Sequence, residues 1–153
     1  MEPLDRDEAL ELLGEAPVAH LGLVSEGEPY VTPMSFVLDG DRILFRTQAG
    51  RKLRAIRDNP RVCIEVSRFD EDSGDWASVI VSGMASESND RHTGEITVQQ
   101  LFEKYANALG SPLTHGGLHA VPGLPHIVEV KIEVVSGLTS GRGFSHRTRP
   151  GRL

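Results

Sequence analysis

The sequence predicts a mostly β protein: a barrel of about six antiparallel strands, Greek-key in type, with α-helices at its periphery. Three observations carry that prediction. Six strand-like runs recur at short spacing, bounded by Gly, Asp and Pro. Two of them are joined by Asp39-Gly40, a strong signal for a tight hairpin turn. Helical apolar spacing is confined to three places, at the start, the middle and late in the chain.

The elements follow in order. Leu4 to Leu13 places Leu4, Ala9, Leu10, Leu12 and Leu13 behind Asp5, a good N-cap, and predicts a short amphipathic helix ended by Gly14 and Pro17. Val18 to Val24 is a strand and Glu26-Gly27 a turn. Tyr30 to Leu38 is read as one further strand, with Pro33 marking an edge or a bulge because it cannot donate to a ladder. Arg42 to Thr47 completes the hairpin, a helix runs from Arg51 to Asn59, and a strand from Arg61 to Ser67. Phe69 to Asp75 is an acidic turn before a strand from Trp76 to Ala85. Asp90 to Leu109 is the longest helix, with Ile96, Leu101, Phe102, Tyr105 and Leu109 on one stripe. Ser111 to Pro125 is a loop, His126 to Val135 the last strand, and a basic tail follows. The expected organisation is one domain over residues 1–140 and a tail over 141–153.

Composition narrows the function. At 39% hydrophobic and 25% charged residues the chain is an ordinary globular one, not a disordered one. No apolar run reaches the ~20 residues of a membrane helix, and the first residues are too acidic for a signal peptide. The single Cys63 excludes an intrachain disulfide framework, so a cytoplasmic location is expected. A net charge of -6 argues against broad nucleic-acid binding.

One segment runs against that charge. Between Phe45 and Val66 stand Arg46, Arg51, Lys52, Arg54, Arg57 and Arg61, against only Asp58 and Glu65. Arg51 and Lys52 open a helix, where cations face the positive end of its macrodipole, unfavourable by a few tenths of a kcal/mol. A bound phosphate would reverse that sign and use the free N–H groups as donors. The segment therefore reads as an anion seat for a cofactor phosphate. Arg54, Arg57 and Arg61 read as surface charge.

Other candidates carry less. His115, His119 and His126 suggest a metal, but Gly116-Gly117 and Pro122 oppose the helix that His-x-x-x-His spacing needs, so a polar loop and no metal is expected. Cys63 reads as a small buried hydrophobe, and His20 as a satisfied sheet residue. Neither a nucleophile elbow, a Walker A loop nor a dinucleotide fingerprint occurs.

The order of these pieces resembles a known family. Val18 to Phe36 with its Glu-Gly turn and Pro-Tyr-Val-Thr-Pro-Met-Ser-Phe run, the hairpin Val37 to Phe45, Thr47-Gln48-Ala49-Gly50-Arg51-Lys52, and Asn59 to Val66 are similar to the pyridoxamine 5'-phosphate oxidase-like superfamily of FMN-binding split barrels. Trp76-Ala77-Ser78-Val79 is similar to its nitroimidazole-reductase branch. The ending Arg149-Pro150-Gly151-Arg152-Leu153 departs from the Arg-Leu-Ala-Pro type of true pyridoxamine-phosphate oxidases, which argues against pyridoxal phosphate synthesis.

The resemblance implies a split barrel binding FMN. It implies phosphate contacts from Thr47, Arg51 and Lys52, with Arg46 and Gln48 beside them. Pro33, Met34, Ser35 and Phe36 would run along the isoalloxazine, with Trp76, Ser78 and Val79 on a neighbouring strand. A homodimer with flavin at the subunit interface, a small acceptor such as a nitroaromatic or quinone, and NAD(P)H as donor complete the expectation, with no single catalytic residue evident. Deazaflavin in place of FMN, or a non-enzymatic flavin or haem module, are the alternatives.

Overall fold

The computed structural model describes residues 1–109 and 125–141. The expected loop with His115 and His119, and the tail beyond Gly141, lie outside the described residues. The strands are β1 (Glu2–Pro3), β2 (Ala19–Ser25), β3 (Glu28–Met34), β4 (Val37–Asp39), β5 (Arg42–Thr47), β6 (Arg61–Phe69), β7 (Trp76–Ser88) and β8 (His126–Thr139). The helices are α1 (Arg6–Glu15), α2 (Arg51–Asp58) and α3 (Arg91–Leu109). None of the described helices is long and apolar enough to cross a membrane.

All strands join one antiparallel sheet in the order β3-β2-β6-β7-β8-β5-β4, with β1 added to β8. The path is open, with β3 and β4 as its edges. Leu21 and Leu23 near one edge and Ile43 and Phe45 near the other nevertheless share a single buried cluster with Ile64, Val66, Val79, Val81, Val128 and Val130. The sheet therefore curls round one core, and eight strands, rather than about six, build it.

Local chemistry explains the elements. Asp5 caps α1 in a capping box: its carboxylate accepts from Glu8 N at 2.8 Å, and Glu8 answers to Asp5 N at 3.0 Å. The helix runs through Gly14 to Glu15, two residues past Leu13. Glu26 and Gly27 join β2 to β3 with φ of 53° and 77°, the two positive values that a type I′ turn requires.

Two expectations need correction. Tyr30 to Leu38 is not one strand, because Ser35 and Phe36 leave the ladder between β3 and β4. The Phe36 N–H donates to Tyr105 Oη at 3.1 Å and its carbonyl accepts from Lys104 Nζ at 3.0 Å, so α3 satisfies the groups that pairing would have used. Cys63 is exposed rather than buried, because Val62, Ile64 and Val66 take the inward positions of β6. Gly22 lies opposite it, where a Cβ would stand 2.6 Å from Cys63 Sγ.

Candidate functional site

The segment expected to seat an anion lies where β5 hands over to α2. Gly50 occupies the N-cap position with extended backbone and offers no side chain to the helix, and the first turn holds no acid. The leading N–H groups of α2 therefore have neither intrahelical carbonyls nor a side-chain cap. Thr47 Oγ1 donates to Gln48 O at 3.3 Å, so its proton must leave that carbonyl before it can serve an anion. Gln48 is exposed and Arg46 half-buried on β5.

Arg51 and Lys52 part company. Lys52 is half-buried with Nζ 5.7 Å from the centre of the Phe45 ring, and burial alone pushes its pKa below the usual lysine value. It has no carboxylate partner among the described residues. Arg51 swings the other way: Nε donates to Ser25 Oγ at 2.9 Å, and the guanidinium lies 3.9 Å over the Tyr30 ring. One cation is thus held against the barrel core and the other against the β2–β3 turn.

The Pro33 to Phe36 segment is divided by its surroundings. Met34 and Phe36 point into the core, while Pro33 and Ser35 are exposed. Phe36 spends both backbone groups on α3. Tyr105 Oη also donates to Pro17 O at 2.8 Å, and Lys104 Nζ stands 3.8 Å over the Phe36 ring. Burial pushes the Lys104 pKa down to about 8 and raises that of Tyr105. Neither residue was singled out from the sequence as part of a site; a Lys-Tyr pair inside an amphipathic helix gives no local signal of what it will face.

Trp76, Ser78 and Val79 lie apart from α2. Val79 is wholly buried in the core. Ser78 Oγ donates to Glu65 Oε1 at 3.2 Å, and Glu65 Oε2 meets His20 Nδ1 at 3.0 Å. Trp76 pairs with Phe69, whereas α2 runs into Arg61, which pairs with Met84. Eight residues of strand separate those pairs, about 26 Å. Trp76 and Ser78 thus stand at the end of the β6–β7 ladder away from Arg61.

Two of the expected surface cations are ion-paired, Arg57 with Glu87 at 2.8 Å and Arg61 with Glu133 at 2.9 Å. Glu87 also bonds His126 Nδ1, and its pKa is lowered, first by Arg57 and then by His126. No group of three or more His, Cys, Asp or Glu suited to a metal occurs among the described residues.

An antiparallel sheet curled round one core, with an uncapped helix and a half-buried lysine at its rim, defines a small split barrel. The chain belongs to the pyridoxamine 5'-phosphate oxidase family, whose model matches residues 5–139. Solved structures share the split-barrel fold. An FAD-binding protein from Mesorhizobium loti is 23% identical, with a TM-score of 0.73 over 92% of this chain and 98% of its own. An FAD binding protein from Mycobacterium smegmatis is 22% identical, with a TM-score of 0.64 over 91% and 98%. A Bacteroides thetaiotaomicron protein provisionally assigned to 5-nitroimidazole antibiotic resistance is 18% identical, with a TM-score of 0.70 over 90% and 86%.

Proposed function

We propose that the protein is a flavin-binding oxidoreductase that reduces a small acceptor such as a nitroaromatic or quinone, with NAD(P)H as donor. The observation that carries this reading is Lys52: a half-buried ammonium with no carboxylate partner among the described residues, beside a helix start with no cap and no acid. Burying a cation is costly unless an anion matches it, and a phosphate at this point matches both the charge and the free N–H groups. The residues present therefore fit the phosphate of FMN, or of the FMN half of a longer flavin. Lys52 and the first N–H groups of α2 would hold it, with Thr47 and Arg51 at its sides.

A bound flavin supplies the redox chemistry. The chain's own part is to bind, orient and shield. Pro33 to Ser35 would lie along the ring, on a segment that Lys104 and Tyr105 hold in place from α3. The FAD-binding relatives support a flavin, and family membership supports the fold that holds it.

The same reading includes a homodimer. Val24, Val31, Ile80, Val134 and Leu138 are exposed on the outer face of β2, β3, β7 and β8, and Gly22, Cys63 and Ser82 keep the middle of that face flat. A second copy covering it would bring its own Trp76 and Ser78, which lie on the same outer face, to the interface. Purified protein mixed with flavin, NADH or NADPH and a nitroaromatic or quinone tests the activity. Loss of donor absorbance dependent on both flavin and acceptor is expected; bound flavin that neither donor reduces would leave a carrier instead.

A further inference from the structure

Arg54 stands apart from the other arginines of its segment. Arg57 and Arg61 are each matched by a carboxylate, at 2.8 and 2.9 Å. The Arg54 side chain, one turn before Arg57, has no hydrogen-bond or ion-pair partner among the described residues, its backbone N–H alone being bonded, to Gly50 O at 3.0 Å. It opens instead, with Arg51, onto a cleft of about 370 Å³ lined by Ser25, Glu26, Arg51, Arg54, Ala55 and Asp58. That volume lies within the range of small-ligand pockets.

The cleft adjoins the start of α2 through Arg51, which opens the helix and lines the cleft. Arg51 is also set in advance. The Ser25 hydrogen bond holds Nε and the Tyr30 ring supports the guanidinium plane, so its outer N–H groups are presented in a fixed direction. Glu26 and Asp58 line the same space without ion-pairing to either arginine. Two guanidinium groups and two carboxylates within one cleft suit a ligand that carries both an anion and hydroxyl donors. A nucleotide is such a ligand: phosphate oxygens accept from arginine, and ribose hydroxyls donate to carboxylates. A purely acidic tail would gain from the arginines but meet repulsion from Glu26 and Asp58.

We infer that this cleft is a subsite for the adenylate half of a flavin dinucleotide, with its phosphate on Arg51 and Arg54 and its ribose hydroxyls on Asp58 or Glu26. The inference rests on the flavin reading above and specifies that the cofactor continues past its first phosphate.

Isothermal titration of the purified protein with FMN, FAD and a deazaflavin bearing an acidic tail tests it. FAD should bind about tenfold or more tighter than FMN, since the adenylate adds charge-assisted hydrogen bonds. Arg54→Ala should weaken FAD about tenfold and leave FMN unchanged, with Arg54→Lys recovering part of the loss. Arg57→Ala removes the same charge one turn away and should alter neither. Equal affinity for FMN and FAD, unmoved by Arg54→Ala, overturns the subsite while leaving the flavin reading standing. Failure of every flavin to bind overturns both. Tighter binding of the acidic-tailed deazaflavin than of FAD, lost in Arg54→Ala, overturns the nucleotide assignment.

Discussion

Replacing Lys52 by Met separates the demands of a ligand from those of the fold. Met keeps the apolar stem against Phe45 and removes the ammonium, which burial disfavours and no described carboxylate offsets. The unliganded protein should therefore unfold at an unchanged or slightly higher denaturant midpoint, a gain of at most about 1 kcal/mol. Phosphate binding should suffer in the opposite sense. A hydrogen bond to a charged group contributes about 1.5–3 kcal/mol, so the affinity for FMN should fall about 10- to 150-fold. Riboflavin, which has the ring and no phosphate, should bind Lys52→Met and the parent protein alike. Urea unfolding and flavin titrations, run on the same preparations, read both effects. The reasoning is refuted if FMN affinity does not change, if riboflavin loses as much as FMN, or if the unliganded variant loses several kcal/mol.

Further predictions concern the scaffold. Tyr105→Phe removes the hydroxyl that serves both Phe36 N and Pro17 O, and should destabilise the protein by about 2 kcal/mol in urea. The lowered pKa of Lys104, about 8, has a sign that can be tested. An unfolded lysine titrates near ~10.4, so between these values the unfolded chain binds more protons and this group makes stability rise with pH. After allowance for solvent screening the rise is about 1 kcal/mol, and Lys104→Met should remove it. Gly83→Ala places a Cβ on the Lys131 carbonyl at the β7–β8 register shift, where backbone must move; a loss of about 3 kcal/mol or failure to fold is expected. Ile80→Lys puts a charge on the exposed outer face, and sedimentation should show a monomer if a second copy covers that face.

The fold was legible wherever pattern is local. The Asp5 capping box, the Asp39-Gly40 hairpin and the α2 boundaries all follow from short-range chemistry, and the strand runs from their alternation. The failures are tertiary. The ladder breaks at Ser35 and Phe36, where Tyr105 and Lys104, some seventy residues later, take the backbone groups of Phe36. Cys63 reads as core by residue type, yet the inward phase of Val62, Ile64 and Val66 already assigns it to the outer face. For the site, charge against the helix dipole marked Arg51 and Lys52, but the divergence of their side chains depends on Tyr30, Ser25 and Phe45, which only the packed structure brings near. Arg54 shows the same limit. Charge pattern alone cannot separate it from Arg57, which differs only in having Glu87 within reach.

The proposed function places the phosphate of a flavin at the rim of this barrel, at the start of α2. Comparing the affinities of the parent protein for FMN and riboflavin tests it most directly. FMN should bind at least about tenfold tighter, through the charge-assisted contacts of Lys52 and the α2 N–H groups. Equal affinities, or no binding of either, would contradict it.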